Sequence, residues 1–249
     1  TKKYPDISKK FNLIDIKKYL NQIKKQNKKL IFISTCSNYG LLENNKTADE
    51  NFKLKPLSIY AKQKVNIENF LIKNKKKFKF NFTILRFATA FGLSPRMRFD
   101  LTVNQFVKEI YEKKKLNVYD LDTWRPYCHV VDFARLIEKV INSPEKIVKS
   151  QIFNAGNNKN NHTKRDILNK IIKYLKEDFS RINFNKNTKD KLDKRSYKVN
   201  FSKLKKKLNF QTKYNVNYGI KEIVRELKNK KFKKSINRYG NFKIEKKNY

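Results

Sequence analysis

The sequence of 249 residues is poor in several residue types, and these shortages narrow the class of protein. Cysteine occurs only at Cys36 and Cys128, each within an apolar stretch. This argues against a disulfide framework and predicts reduced, buried thiols in a cytoplasmic protein. No run approaches the roughly 18 apolar residues of a membrane span, and the first residues lack the apolar core of a secretory signal. His129 and His162 are isolated, so we predict no metal site and a structural role for His129.

Acidic residues are also few, because 22 Asp and Glu stand against 61 Lys and Arg, for a formal net charge of +39. This charge raises the hypothesis of a nucleic-acid-binding module, which predicts a continuous basic face and steep salt dependence of binding. The lysines are instead spread along nearly every predicted helix, on the faces opposite the apolar residues. We therefore keep nucleic acid as the distant alternative and expect no nucleic-acid partner.

The apolar residues in the first third of the chain predict alternating helices and strands. Helical spacing is present over residues 7–27 and 59–74, and short apolar runs occupy 30–33 and 82–87. A short apolar run with helices on both sides is typical of a buried parallel strand. Helix, strand, helix and strand in this order predict a doubly wound α/β sheet.

The pattern changes after residue 92, where a loop rich in proline and arginine begins. Asp132 is a good N-cap for the apolar run that follows it, and Thr163 is a good N-cap for the next helix. The predicted elements are a helix over 103–115, a strand over 116–119, helices from 132 and 163, a strand over 151–155, and helices over 201–208 and 217–229. We expect residues 185–200 to be irregular and the basic tail after Asn229 to be loose.

Tyr60 and Lys64 form a Tyr-x-x-x-Lys pair on one of the predicted helices. Side chains four residues apart lie on one helix face. A phenol titrates at about 10, and a neighbouring ammonium lowers its pKa, which gives a proton donor and acceptor useful near neutral pH. Because lysine is abundant, the spacing alone is a weak signal, and Tyr111 with Lys115 shows it as well. An ordinary half-buried helix tyrosine is the alternative.

Polar residues follow the first apolar strand, where residues 34–38 are Ser-Thr-Cys-Ser-Asn. Ligands of open α/β sheets bind at the carboxyl ends of the strands. Hydroxyl groups at this position can therefore hydrogen-bond a substrate hydroxyl next to Tyr60. The alternative is a polar transition from strand to loop.

These two features belong to a longer series of segments in the chain. In order they are 33–40 (ISTCSNYG), 56–64 (PLSIYAKQK), 85–92 (LRFATAFG), 125–132 (RPYCHVVD), 153–156 (FNAG) and 195–197 (RSY). The series resembles the extended short-chain dehydrogenase/reductases, and among them the NAD-dependent nucleotide-sugar epimerases and dehydratases. The resemblance runs from about residue 5 to about residue 228 in collinear order.

The resemblance implies roles for residues at the strand end and on the helix. Tyr60 is similar to the catalytic acid/base of the family, and Lys64 to its electrostatic partner and the ligand of the cofactor ribose. Tyr60 is assigned to the cofactor as well. Thr35 stands where the family places the Ser or Thr that hydrogen-bonds the reacting sugar hydroxyl. Ser34 is assigned to the cofactor on the same basis.

A second group of residues is implied to bind the substrate. Arg125 and Arg195 match arginines that hold the nucleotide diphosphate, where a planar guanidinium suits phosphate oxygens. Surface salt bridging is the alternative for both arginines. Thr89 and Arg98 are assigned to the substrate as well, Arg98 within the loop 94–100 that is expected to line the sugar pocket.

The sequence departs from the family pattern in three respects. The glycine-rich turn that binds the cofactor pyrophosphate belongs before residue 1, and no glycine precedes Gly40, so we expect a fragment that is inactive without its N-terminus. Cys36 and Ser37 stand where the dehydratases carry an Asp-Glu pair, which argues against 4,6-dehydration. Thr89 stands where many epimerases carry Asn.

Together these observations predict an α/β protein with a partial Rossmann-type doubly wound parallel sheet and a smaller α/β substrate-binding domain. Residues 1–92 are predicted to be the C-terminal part of the NAD(P)-binding domain. Residues 93–249 are predicted to be mainly the substrate-binding domain, with a segment near 129–156 returning to the Rossmann domain.

The resemblance implies an epimerase that transiently oxidises a sugar carbon of a nucleotide-sugar, C4 in our prediction, with NAD or NADP as cofactor. A 4-keto-sugar reductase or a dehydratase of the same family is the alternative. On the resemblance alone we expect a homodimer, formed through a helix bundle that includes the helix of Tyr60. No membrane partner is expected.

Overall fold

The computed structural model describes residues 5–43, 46–180, 182–185, 195–230 and 232. The helices are α1 (Pro5–Lys9), a π-helical turn (Lys10–Ile14), α2 (Asp15–Gln22), a 3-10 turn (Cys36–Tyr39), α3 (Ile59–Lys73), α4 (Thr102–Tyr111), α5 (Val130–Ile141), α6 (Glu145–Val148), a second 3-10 turn (Asn158–Asn160), α7 (Lys164–Leu175), α8 (Ser202–Leu208) and α9 (Val216–Lys228). The strands are β1 (Lys29–Thr35), β2 (Thr47–Ala48), β3 (Asn81–Phe87), β4 (Thr89–Phe91), β5 (Leu116–Tyr119), β6 (Trp124–His129), β7 (Gln151–Ala155), β8 (Asn161–Thr163), β9 (Ile182–Asn185) and β10 (Lys198–Val199).

The first sheet is parallel and has the strand order β1-β3-β7. Its register aligns Thr35 with Phe87 and Phe87 with Ala155, so the three strands end at one edge. The apolar runs predicted as strands form β1 and β3, as expected for strands covered on both faces. The parallel α/β prediction is confirmed.

Helices cover both faces of this sheet. On one face α2 and α3 pack against β1 and β3 through a cluster that includes Leu20, Ile67, Leu71 and Ile84, each at most 2% exposed. On the other face α5 and α8 pack against the same strands and β7 through a second cluster, with Phe153 fully buried. Helix α3 connects two parallel neighbours, β1 and β3, so it runs back across the sheet and begins near the edge where β1 ends.

A separate apolar core lies in the second half of the chain. Helices α4, α7 and α9 pack together with β5, and the buried residues of α7, the helix predicted from residue 163, include Ile167, Leu168 and Ile171. Strand β7, in contrast, is part of the first sheet. We keep the domain limits of 1–92 and 93–249, with a return near 129–156, as a proposal that these packing contacts support.

The caps of two helices differ in how well the sequence predicted them. Thr163 forms a reciprocal capping box with Asp166 at the start of α7, and its prediction as an N-cap is confirmed. The prediction of Asp132 as an N-cap is wrong, because α5 begins at Val130 directly after β6. The Asp132 carboxylate lies in the first turn and accepts hydrogen bonds from the backbone N–H groups of Lys213 and Tyr214.

Other elements differ from the predicted bounds. The helix predicted over 7–27 ends at Gln22 and contains the π-helical turn, and the helix predicted over 103–115 ends at Tyr111, after which Lys113 has a left-handed φ of 56°. Strands β4, β6 and β8 form a small sheet that the pattern did not predict. Most of the segment 185–200, and the tail after Asn229 apart from residues 230 and 232, lie outside the described residues.

Candidate active site

Helix α3 presents Tyr60 and Lys64 to the end of strand β1. The helix begins after Ser58, whose hydroxyl accepts a hydrogen bond from the backbone N–H of Ala61 at 3.1 Å. This cap fixes the first helical turn, which carries Tyr60. One turn later the Lys64 ammonium donates to the carbonyl oxygen of Ile33 at 2.8 Å. The predicted Tyr–Lys face is thereby joined to the strand that ends two residues after Ile33.

The Tyr60 phenol is accessible, with 37% of the residue exposed. Among the described residues its hydroxyl has no hydrogen-bond partner, and the Lys64 ammonium lies 5.6 Å from its ring centroid. Partial burial raises the pKa of Tyr60 above its ordinary value of 10.0, and the Arg98 guanidinium opposes this rise. The sequence predicted that Lys64 lowers the pKa of Tyr60. In the structure the charge that opposes the effect of burial on this pKa is that of Arg98.

Lys64 occupies a mostly apolar position beside the strand. Its ammonium lies 4.8 Å from the ring centroid of Phe32, and its hydrogen bond is to a backbone carbonyl. Burial lowers the pKa of Lys64, and the carboxylate of Glu68 opposes that lowering. Two further ammonium hydrogens are left to donate, since Lys carries three.

Thr35 is the last residue of β1, at the carboxyl edge of the sheet. Its side-chain oxygen accepts a hydrogen bond from the backbone N–H of Ser37 at 3.1 Å and so caps the 3-10 turn. A hydroxyl that accepts at its oxygen keeps its own hydrogen to donate. Thr35 is therefore a fixed donor at the edge where ligands of open α/β sheets bind.

The prediction of Ser34 as a cofactor contact does not fit the structure. Ser34 is 1% exposed, and its hydroxyl donates to the carboxylate of Glu68 at 2.5 Å. Because side chains alternate across a strand, Ser34 points into the protein where its neighbour Thr35 does not. The Ser34 side chain is thus part of the interior.

Arg125 and Arg195 come together near the same strand end. The Arg125 guanidinium donates to the carbonyl oxygen of Arg195, and it lies 5.1 Å from the ring centroid of Tyr197. The Arg195 guanidinium donates to the Ser37 hydroxyl at 3.2 Å, and the hydroxyls of Ser37 and Tyr197 are also 3.2 Å apart. Ser37 lies two residues after Thr35, so the two arginines adjoin the turn that follows β1.

Thr89 and Arg98 take different positions. Thr89 is half-buried at the start of β4 and is paired with Tyr127 of β6. Arg98 forms a bidentate ion pair with Asp100, at 2.9 and 2.6 Å, while its charge acts on Tyr60. The charge of Arg98 therefore acts on the phenol, whereas Thr89 forms no hydrogen bond with Tyr60 or with the two arginines in the described ranges.

Several residues that hold the site were not predicted from the sequence. Glu68 and Arg86 form a buried ion pair at 2.7 Å, and Arg86 also donates to the hydroxyl of Tyr39 at 3.0 Å. A charged residue within the apolar run 82–87 was an available signal for Arg86, since an arginine in a buried strand requires a partner. Ser37 had no comparable signal.

In the described ranges, no three His, Cys, Asp or Glu side chains are arranged so that they could hold a metal ion. His129 is 1% exposed, and its Nε2 lies 2.6 Å from the carboxylate of Glu222. This contact ties β6 to α9. In the part of the chain that is described, no helix is both long and apolar enough to cross a bilayer.

Comparison with known proteins identifies the family. Residues 10–156, more than half of the chain, match the NAD dependent epimerase/dehydratase family. A UDP-glucuronate 4-epimerase of Thermodesulfobacterium geofontis is 27% identical over 201 residues, which are 79% of this chain and 58% of that protein. An uncharacterized UDP-glucose epimerase of Bacillus subtilis is 32% identical over 118 residues, 47% of this chain and 36% of the relative.

The solved structures give a matching fold. The UDP-glucose 4-epimerase of Thermotoga maritima superposes with a TM-score of 0.79 at 23% identity, over 92% of this chain and 72% of that one. The chain spans 36% and 58% of the lengths of the two curated relatives. The matched range contains the elements that carry Thr35, Tyr60 and Lys64. The chain belongs to the NAD dependent epimerase/dehydratase family.

Proposed function

We propose that this chain is part of a nucleotide-sugar epimerase that inverts a sugar carbon, C4, by transient oxidation. The observation that carries the proposal is the hydrogen bond from Lys64 to Ile33, which joins the Tyr60 helix to the strand that ends in Thr35. This contact supports the roles of Tyr60 and Lys64 as an acid/base pair, and of Thr35 as a hydroxyl donor, at the edge of a parallel sheet where ligands bind. The relatives named as UDP-sugar epimerases support a nucleotide-sugar as the substrate.

The residues present fit the nicotinamide-ribose end of NAD. Lys64 has two ammonium hydrogens left for ribose hydroxyls, and the Tyr60 hydroxyl has no partner among the described residues. Bound NAD supplies the hydride acceptor and donor of the reaction. We propose NAD, in line with the family, and keep NADP as the alternative cofactor.

Tyr60 would transfer the proton of the sugar hydroxyl twice, first away from the sugar and then back to it. Tyr60, as phenolate, takes the proton of the sugar hydroxyl as the carbon is oxidised to a ketone. Thr35 donates to the same oxygen and holds it in place. After the sugar has turned its other face to the cofactor, Tyr60 returns the proton to the oxygen as the carbon is reduced. The reaction is redox-neutral, and proton and electron pair both end on the substrate.

The arginine pair would hold the part of the substrate that does not turn. Arg195 and Arg125 lie together beside Ser37, and guanidinium groups bind phosphate oxygens in a planar, bidentate way. A diphosphate held here leaves the sugar free to rotate about its linkage. Thr89 is proposed to contact the nucleotide, and Arg98 the sugar, beside Tyr60.

Cys36 favours an epimerase over a dehydratase of the family. Removal of water across C5–C6 of a 4-keto-sugar needs a base for the C5 proton and an acid for the C6 hydroxyl. Cys36 is 1% exposed, its thiol donates to the backbone carbonyl of Arg86, and burial raises its pKa far above the ordinary range. A neutral interior thiol supplies neither group. A keto-sugar reductase would use the same Tyr60, Lys64 and Thr35, so it stays the second candidate.

A homodimer is proposed through the N-terminal helical segment. Ile7, Phe11 and Ile14 are 54%, 61% and 40% exposed, and successive members lie three or four residues apart. Three exposed apolar side chains along one helical segment favour burial against another surface. The segment packs against α3, so a partner bound there would also contact the helix of Tyr60.

The function is tested on the protein expressed with its complete reading frame and purified without added cofactor. Absorbance and fluorescence report bound nicotinamide, and NMR follows the products from UDP-, GDP-, CDP- and dTDP-sugars. Retained NAD with redox-neutral conversion of one sugar to its epimer is the expected result. Consumption of NAD(P)H with a 4-keto-sugar indicates the reductase, and salt-sensitive binding to nucleic acid without turnover contradicts both.

A further inference from the structure

Helix α3 carries a buried carboxylate one turn beyond Lys64, for which the proposed reaction has no direct use. Glu68 is fully buried, at 0% exposure. Residues 60, 64 and 68 are four apart, so their side chains share one face of the helix. That face is turned to the end of β1, because Lys64 binds the carbonyl of Ile33 and Glu68 binds the hydroxyl of Ser34.

The carboxylate of Glu68 accepts hydrogen bonds from residues in three different segments of the site. Ser34, at the end of β1, donates at 2.5 Å, and Asn38, in the turn after β1, donates at 2.8 Å. Arg86 of β3 adds its Nε at 3.1 Å and a terminal nitrogen at 2.7 Å. One carboxylate therefore fixes the helix, the strand end and the turn that Thr35 caps relative to one another. These donors satisfy both oxygens of the buried carboxylate.

The same carboxylate acts on the charge of Lys64. Burial lowers the pKa of Lys64, and the negative charge of Glu68 opposes that change. Among the described residues, β1 presents to the ammonium only the Ile33 carbonyl and the Phe32 ring, neither of which carries a charge. Arg86 on β3 is turned to Glu68 and to the hydroxyl of Tyr39.

In the described ranges, the charged groups of the other elements packed on α3 do not act on Lys64. The Lys17 ammonium of α2 lies 5.4 Å from the ring centroid of Phe70, and the Lys10 ammonium of the π-helical turn lies 5.8 Å from that of Phe11. From α1, Ser8 donates to Gln63, and from the 3-10 turn, Asn38 donates to Glu68 and to Ser34. On the helix itself, Tyr60 is the other titratable neighbour of Lys64. Glu68 is thus the charge that opposes the effect of burial on the pKa of Lys64.

We propose that Glu68 is the positioning residue of the Tyr60–Lys64 pair. Its carboxylate holds helix α3 in register with the strand end that carries Thr35, and its negative charge favours the protonated form of Lys64. The catalytic consequence rests on the proposed function. The effect on Lys64 is a property of the folded protein and is measurable without any substrate.

The primary experiment titrates Lys64 by competitive labelling with acetic anhydride over a series of pH values, with peptide mass spectrometry. The pH midpoint of labelling reports protonation, and the exposed neighbour Lys62 is the internal reference. In Glu68→Gln we expect the Lys64 midpoint to fall by about one pH unit, because an opposite charge close by is lost. Lys62 should not move. Glu68→Asp, which keeps the charge, should restore most of the midpoint.

The matched control is Glu145→Gln. Glu145 lies on α6 and forms an exposed ion pair with Lys149, so the loss of its carboxylate should leave the Lys64 midpoint unchanged. If Glu68→Gln fails to fold, the double variant Glu68→Met/Arg86→Met removes the carboxylate without leaving the arginine unpaired. Apolar replacement of a whole buried ion pair often preserves stability. An unshifted Lys64 midpoint in a folded variant that lacks the carboxylate overturns the proposal.

Kinetics separate this proposal from the proposed function. If the unmutated protein turns over a nucleotide-sugar, the alkaline limb of its kcat/KM profile should move to lower pH in the folded variant, with kcat reduced more than KM is changed. Recovery of the profile along with thermal stability in the double variant would indicate a purely structural ion pair and would overturn the positioning role. Absence of turnover in the unmutated protein contradicts the epimerase assignment, while the labelling midpoint still decides the role of Glu68.

Discussion

Lys64 donates a hydrogen bond of 2.8 Å to the carbonyl oxygen of Ile33. The contact lies two residues before Thr35 on the strand and one turn after Tyr60 on the helix. Because α3 runs back across the sheet from the edge where β1 ends, the phenol and the threonine hydroxyl both lie toward that edge. The proposed chemistry depends on this arrangement.

Tyr60→Phe removes the hydroxyl that would carry the proton and leaves the ring in place. We expect turnover of the full-length protein to fall by about 10²–10⁴-fold, as is usual for loss of a general acid/base. Cofactor retention should stay close to normal, because Lys64 and the sheet are unchanged. Product formation is followed by NMR and bound nicotinamide by absorbance.

The matched control for Tyr60→Phe is Tyr111→Phe. Tyr111 has the same spacing to Lys115 but packs at the edge of the second core, on α4. Turnover in this variant should match that of the unmutated protein. A Tyr60→Phe protein that turns over like the control contradicts the catalytic assignment.

Arg195→Ala removes a guanidinium that is fixed by Ser37. If it binds the diphosphate, KM for the nucleotide-sugar should rise by at least about tenfold, because a charge-assisted hydrogen bond contributes about 1.5–3 kcal/mol. The kcat should change less, since Tyr60 is not touched. The control is Arg165→Ala, because Arg165 forms an ion pair with Asp122 at the surface. Steady-state kinetics of the two variants distinguish the loss of a specific phosphate contact from a general loss of positive charge. Equal KM values in the two variants would contradict diphosphate binding.

The parallel sheet was predictable because its strands are short apolar runs between helices, and such runs require cover on both faces. The small sheet of β4, β6 and β8 was not. Strand β6 is Trp-Arg-Pro-Tyr-Cys-His, in which polar and apolar residues do not alternate. Its partners are β4, more than thirty residues before it, and β8, more than thirty residues after it, so only the tertiary packing brings the three strands together.

The shared helix face of Tyr60 and Lys64 was predictable from the sequence, because their spacing is local. The partner of Glu68 was not, because Arg86 lies 18 residues away and meets it only through the register that aligns Ser34 with Arg86. The error at Ser34 had an available signal. Strand alternation places Ser34 on the side of Phe32, which is buried, and Thr35 on the opposite side.

Phe11→Glu tests the proposed dimer surface. Phe11 is 61% exposed, so the substitution costs the isolated subunit little, whereas a carboxylate buried in an apolar interface is strongly unfavourable. We expect the variant to sediment as a monomer at concentrations where the unmutated full-length protein is a dimer. Ile141→Glu, at an apolar position on α5 that is 49% exposed, should remain dimeric. Dimers in both variants would place the interface elsewhere.

Gly92→Ala tests the junction between β4 and the loop that leads to Arg98. Gly92 has a φ of 105°, and an added Cβ would lie 2.2 Å from Nε2 of the buried His129. Backbone strain and overpacking together should lower the free energy of unfolding by about 2–4 kcal/mol. Urea denaturation measures it, with the exposed Lys139→Ala as a control expected within about 0.5 kcal/mol of the unmutated protein. A Gly92→Ala protein as stable as the control would contradict this backbone geometry.

Arg98→Met tests whether the charge of Arg98 lowers the pKa of the Tyr60 phenol. The pKa of Tyr60 is raised by burial and lowered by Arg98, so removal of the guanidinium should raise it further. The base form of Tyr60 exists above its pKa, and activity is therefore lost as the pH falls through that value. The acid limb of the kcat/KM profile should move to higher pH by up to about one unit, with recovery of the rate at alkaline pH.

The control for Arg98→Met is Arg96→Met, which removes an exposed positive charge from the same loop. Its acid limb should coincide with that of the unmutated protein, because Arg96 is not among the groups that act on Tyr60. Equal shifts in both variants would mean that the general positive field, and not the position of Arg98, sets the phenol pKa. A rate that falls in Arg98→Met at every pH without a shift of the limb would indicate substrate binding alone. Only a shift confined to Arg98→Met fits a guanidinium that tunes Tyr60 directly.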